Sequence, residues 1–167
     1  NEEPMTSTLA ARLKAAEQLS KAGNLVGFHF HPIFVYEGYE NDYLDLIGQL
    51  TSLFTPEQVA TVSMGTLTFT KKSLRLIRKK NIQSKVLQME LEEIAGKYSH
   101  STDTKVHLFS TIYQMFQAWH GKVFFYMCME EKKIWEKVFN FSYATNDDFD
   151  TAMKTAYLGK IYTHTLF

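Results

Sequence analysis

The chain has 167 residues, 45% of them apolar and 22% charged, and its 18 basic residues are balanced by 18 acidic ones. That is one soluble domain, or part of one, with enough apolar surface for a sizeable core, and zero formal charge leaves no global field to draw it onto nucleic acid or an anionic membrane. No run approaches the roughly 18 consecutive apolar residues of a spanning helix, no secretory signal pattern opens the chain, and the single cysteine, Cys128, excludes an intramolecular disulfide and a cluster or structural zinc of its own. The expectation is a cytoplasmic protein without membrane contact. The opening at Asn1 rather than a methionine suggests a piece of something longer.

In chain order, Leu9, Leu13, Ala16 and Leu19 recur at helical spacing behind Ser/Thr caps, predicting a helix over 8–22 that Gly23-Asn24 ends. Leu25 to Tyr36 is almost continuously apolar and aromatic and reads as a buried strand carrying His29, His31 and Pro32. A second helix fits 41–54, Pro56 restarts a short turn, and Val59 to Phe69 reads as another strand. Thr70 can cap a helix to Lys80, while Val86 to Leu91 fits either a strand or a helix. A long helix begins at Asp103 with a Val106, Phe109, Tyr113 and Phe116 stripe. A third buried strand covers 123–129, and helices over 131–139 and 147–161 follow, the last capped by Asn146. The alternation predicts an α/β fold, a partial (β/α) barrel segment with mainly parallel strands and flanking helices in one domain over 1–167; a complete eightfold barrel needs about 250 residues.

Several residues could carry chemistry. His29 and His31 sit two apart on a strand and project from one face, the arrangement with which barrel metallohydrolases hold a divalent zinc. A third and fourth ligand are not evident, so the default is structural or substrate-facing histidines. Glu37, Glu40, Asp42 and Asp45 follow that strand and read most simply as a solvated helix entrance. Lys71 to Lys85 holds seven basic residues and no acidic one, a patch that could meet phosphates or serve as plain helix surface. Gly96 to His100 reads as a polar, aromatic turn able to stack on a base. Cys128, inside an apolar run, reads as a buried inert thiol. No glycine-rich phosphate loop and no nucleophile elbow is present.

Taken together, Thr6 to Ala16, Ala22 to Ile33 (with the Phe28-His29-Phe30-His31-Pro32-Ile33 stretch), Ser63 to Phe69, Glu90 to Tyr98, and Phe125 to Glu130 with Trp135, Val138 and Phe139 resemble the carboxyl-terminal half of the spore photoproduct lyase family, a branch of the radical S-adenosylmethionine enzymes. The resemblance implies S-adenosylmethionine and a [4Fe-4S] cluster in the full-length protein, the cluster loop lying upstream and no cofactor being carried by this chain alone. It implies DNA photolesion repair or a related radical reaction, with the upstream half of the same protein and DNA as partners. It places Phe30, His31, Pro32 and Gly65 by the cofactor and His29, Lys97, Tyr98 and Tyr113 by the substrate, and it leaves the catalytic residue unknown. Many relatives carry arginine where this chain has Thr68, and arginine then an aromatic where it has Ser99 and His100, which removes a natural bidentate phosphate grip. The alternatives are a divalent-metal hydrolase built on His29 and His31, or a non-catalytic nucleic-acid or protein-interaction module built on the 71–85 patch.

Overall fold

A computed structural model describes residues 6–80, 89–94 and 96–164. Within the basic run, Lys85 lies outside the described residues, as do positions 86–88 of the segment whose type the sequence leaves open. Helix α1 (Leu9–Lys21) starts where the Thr8 side chain accepts the Ala11 N–H, satisfying one donor that the first turn leaves orphaned. Strand β1 (Val26–Ile33) follows, then α2 (Tyr39–Leu53), a 3-10 turn at Pro56–Gln58 and β2 (Val59–Thr66).

The expected strand over 59–69 divides at this point. The chain leaves β2 after Thr66 and begins a new short strand, β3 (Thr68–Thr70), in a different sheet. Helix α3 (Lys71–Lys79) starts with Thr70 accepting the Ser73 N–H. Strands β4 (Glu92–Ile94) and β5 (Lys97–Ser99) form a hairpin whose turn includes Gly96 at φ 76°, a left-handed conformation that glycine adopts without steric cost. The expected polar turn at 96–100 is therefore mostly strand. Helix α4 (Thr102–Met115), strand β6 (Phe124–Met127), helix α5 (Lys132–Phe139) and helix α6 (Asn146–His164) complete the order. The last cap is Thr145, not Asn146: its hydroxyl accepts the Asp148 N–H while Asp148 Oδ2 accepts the Thr145 N–H, a reciprocal box.

Strands β1, β2 and β6 make a three-stranded parallel sheet in the order β1-β2-β6, and β3, β5 and β4 make a small antiparallel one. The parallel register aligns Phe28 with Val62 and Phe125, and Phe30 with Met64 and Met127. Those side chains share one face, and helices cover it: Phe28 meets Phe54 edge-on at 5.1 Å, and Phe30 meets Phe116 at 5.6 Å. Ile33, Ile47, Leu108, Phe109 and Ile112 are completely or almost completely enclosed in the same cluster. Each fully buried side chain of this size contributes about 1.5–3 kcal/mol of transfer free energy.

Candidate functional site

The opposite face of the parallel sheet is built from different chemistry. Gly27, Thr61 and Phe124 form one row across the strands, and His29, Ser63 and Tyr126 form the next. Helix α6 covers the Phe124–Tyr126 end, with Phe149 packed on both rings at 5.9 and 5.5 Å. Lys160 anchors the same helix by donating from Nζ to the Pro56 and Val59 carbonyls at the start of β2. Toward the carboxyl ends of the strands this face is polar. His29 Nδ1 shares a hydrogen bond with Ser63 Oγ, and the His29 and His31 rings stack at 5.2 Å. The two histidines do share a face, as their spacing predicts.

At the end of β1 the ladder pairs Phe30 with Met64 and resumes only at Ile33 with Thr66, so His31 and Pro32 stand opposite Gly65 alone. A bulge of this kind frees backbone groups from the ladder and re-aims a side chain. It lays the His31 ring over Gly65: a Cβ at Gly65 would overlap His31 Nδ1. That nitrogen is buried without a hydrogen-bond partner among the described residues. Burial lowers the His31 pKa below its ordinary value, the charge of His29 adds to the effect, and Glu130 opposes it. His31 is therefore neutral at pH 7.

Beside His31 lies a cavity of about 360 Å³, within the range of small-molecule pockets. Thr66, Lys105, Cys128 and Glu130 line it from the parallel sheet side, and Thr68, Thr70, Lys97 and Ser99 line it from the small sheet. A buried ion pair braces its wall: Lys105 Nζ donates to Glu130 Oε2 at 2.8 Å, and Thr66 Oγ1 donates to Glu130 Oε1 at 2.8 Å. The side chains of Lys105 and Glu130 are only 11% and 4% exposed, so each charge depends on the other for solvation. The chain reaches Glu130 through Met129, a non-glycine residue at φ 59°. That backbone costs about 1 kcal/mol, and it turns the chain beyond β6 toward the mouth of the sheet.

Of the residues singled out from sequence, His31 and Lys97 line the cavity and Gly65 lies under the His31 ring. Phe30 turns its side chain to the helix-covered core, so only its backbone is on the site side. His29 is exposed on the same face as His31. Tyr98 lies on β5, its hydroxyl donating to Glu93 Oε2 at 2.6 Å. Tyr113 is not brought to this group. It stacks on His120 at 3.8 Å and packs against Phe125 and Phe139 on the helix side of the sheet. Cys128 also departs from expectation: it lies one residue past β6, half-buried, and lines the cavity with Lys105 instead of being sealed in a strand.

Sequence reasoning missed Lys105 and gave Glu130 no role. The signal was present in α4, where the buried positions are Lys105, Leu108, Phe109 and Ile112. A lysine on the apolar stripe of a helix demands a buried partner.

The fit of the implied cofactors differs between them. Among the described residues no group of three or more His, Cys, Asp or Glu is placed to hold a metal ion, and a chain with one cysteine does not fit a [4Fe-4S] cluster. The same observation leaves the His29/His31 pair without a third ligand among the described residues, against the metal-hydrolase alternative. S-adenosylmethionine fits better. The cavity has room for a small molecule, and the bulge at His31-Pro32 presents backbone groups outside the ladder. Among the described residues no helix is long and apolar enough to cross a membrane.

Comparison with known proteins agrees with this layout. A protein-family model described as spore photoproduct lyase matches residues 1–132. The spore photoproduct lyase of Bacillus subtilis (strain 168) is 36% identical over 101 residues, covering 59% of this chain and 28% of that protein. The spore photoproduct lyase of Geobacillus sp. (strain Y412MC61) is 33% identical over 103 residues, covering 58% and 28%. The chain thus spans little more than a quarter of the length of these relatives in the matched region. Among solved structures, a point mutant of spore photoproduct lyase superposes with a TM-score of 0.63 at 23% identity, over 75% of this chain and 40% of that one. A double mutant with bound AdoMet and dinucleoside spore photoproduct gives 0.59 at 22% identity over the same shares. These structures share the fold: a mixed α/β arrangement with a parallel three-stranded sheet and flanking helices. With a family model matched over well more than half of its residues, the chain belongs to the spore photoproduct lyase family.

Proposed function

We propose that this chain is the carboxyl-terminal segment of a radical S-adenosylmethionine enzyme that acts on a DNA photolesion or a related substrate. The observation that supports this most is the family match over residues 1–132, which runs through β6 and the Cys128–Glu130 stretch that builds the cavity wall. In this reading residues 1–167 are one domain that completes a partial (β/α) barrel. The [4Fe-4S] cluster belongs to an upstream half in the full-length protein, which is cytoplasmic.

The backbone of Phe30, the last residue before the bulge, and the off-ladder backbone of His31 and Pro32, with Gly65 beneath, hold S-adenosylmethionine at the mouth of the sheet. The cofactor, when bound and reduced, supplies a carbon radical, and the protein's part is to orient it and exclude competing reactions. His31, kept neutral by burial, sets no positive charge against a sulfonium. Lys105 and Thr66 hold the Glu130 carboxylate in place with both oxygens engaged, so the wall is rigid. His29, Lys97 and Tyr98 face the substrate side.

The test joins this chain to its cluster-bearing half and looks, under anaerobic reducing conditions, for cluster absorbance and release of 5'-deoxyadenosine. The expected result is release that falls at least tenfold in Gly65→Val, whose added side chain displaces the His31 ring, while cluster absorbance stays. No release from the intact protein with a full cluster overturns the reading.

A further inference from the structure

The basic patch is absorbed by none of the roles above. Lys71, Lys72, Arg75, Arg78 and Lys79 on α3 and Lys80 at its end are all exposed, and none forms an ion pair with a described residue. The helix is attached by Leu74 and the half-buried Ile77, and no acidic residue occurs between Gln58 and Met89. Positions 71, 75 and 78 fall on one helical stripe about 10 Å long, enough to follow about three phosphates of one strand. Arg75 and Arg78 lie close enough to Tyr98 for their charges to act on its phenol, which places the stripe beside the hairpin. At the other end Thr70, the residue before Lys71, pairs with Lys97 across β3 and β5, and Lys97 lines the cavity. The cations thus run without interruption from the outer end of α3 to the cavity lip, with Tyr98 alongside as a stacking surface. Glu92 and Glu93 stand on β4, beyond β5 in the sheet, and Tyr98 engages Glu93.

We propose that this track, from Arg78 through Arg75 and Lys71 to Lys97, carries the phosphodiester backbone of the DNA strand entering the cavity. The inference rests on the reading of the chain as part of a DNA-acting enzyme and locates the strand on it.

The test measures fluorescence anisotropy of a labelled 20-nucleotide thymidine-rich DNA, single- and double-stranded, with the full chain at 50 to 300 mM KCl. Affinity should fall with salt at a logarithmic slope of about −3 for single strands if all four cations of the track meet phosphates. Arg75→Gln with Arg78→Gln should weaken binding roughly ten- to thirtyfold at 0.1 M salt and flatten the slope by more than one unit. Lys14→Gln with Lys154→Gln, exposed cations on α1 and α6, should leave binding unchanged, and circular dichroism should show all variants folded. Binding that ignores the α3 substitutions, binding without salt dependence, or equal competition by polyglutamate or by anionic lipid vesicles overturns the proposal. DNA-independent 5'-deoxyadenosine release from the protein with its cluster-bearing half separates the two readings. Release retained while DNA affinity is absent overturns the track alone, and release absent while the track binds DNA overturns the enzyme reading alone.

Discussion

The two faces of the parallel sheet come from the same residues in alternation, yet they have opposite duties. Phe28, Phe30, Val62, Met64, Phe125 and Met127 point to the helices and are enclosed there or packed against that core. Gly27, His29, Thr61, Ser63 and Tyr126 point the other way, and toward the strand ends that side becomes polar, bulged and open. Because side chains along a strand alternate with a period of two, one strand can hold the fold with its even positions and present chemistry with its odd ones. The difference also shows where stability can be lost. The apolar face spreads its stabilisation over many enclosed side chains, whereas the polar end of the sheet concentrates its risk in one buried ion pair and one tight ring-on-glycine contact.

The comparison breaks most severely at Lys105. Replacing it by Met leaves the enclosed Glu130 carboxylate without its cation and should cost about 3–5 kcal/mol in chemical denaturation, more than any single cap or surface change. Lys105→Met with Glu130→Leu should recover most of that loss, since the cost lies in an uncompensated charge rather than in the pair's net worth. On the apolar face, Phe116→Ala should cost about 3–5 kcal/mol through a cavity that no second substitution of a neighbour recovers. A failure of the Lys105 double variant to recover would erase the distinction between the faces.

A smaller effect belongs to Gly65. Gly65→Ala forces the His31 ring off the β2 backbone and should cost about 1–3 kcal/mol, a loss that His31→Ala made alongside should largely remove. Additive losses in the pair would show that the two residues do not touch. The smallest effect is the dependence on pH. His31 and His100 both have lowered pKa values, chiefly from burial, so the unfolded chain binds more protons than the folded one just below the ordinary value of 6.5. Their contribution is fully present above 6.5 and is lost as pH falls through the folded values. Stability should therefore decline on acidification from pH 7 toward 5, less so in His31→Ala; proton resonances of both rings should titrate below 6.5.

Much of the scaffold is readable in one dimension. The helices at 8–22, 70–80 and 131–139 agree with the observed ends to within a residue or two, because Thr8 and Thr70 cap the first two through local hydrogen bonds that a few residues encode. The strands follow from apolar runs too short for buried helices. The division of 59–69 was not readable in that way. Nothing within the run marks Thr66 as the last residue of one sheet, and β3 exists because β5, nearly thirty residues later, pairs with it. The His29/His31 pair was visible from spacing, and so was the apolar stripe of Tyr113, whose ring faces the core through His120, Phe125 and Phe139 and not the substrate side where the resemblance put it.

The amino-acid sequence alone determined the three parallel strands and most of the helices, the shared face of His29 and His31 and the acid-free basic run, while the family came from the resemblance of whole segments. The elements and the shared face follow short-range period and the basic run is composition, so neighbours along the chain suffice for them. Tertiary structure decided that Thr66, Lys105 and Glu130 meet, that His31 lies on Gly65, and that Lys97 joins the basic helix to the cavity. Glu130 lies 64 positions from Thr66 and 25 from Lys105, and only packing of the sheet against α4 brings such distant groups within hydrogen-bond reach.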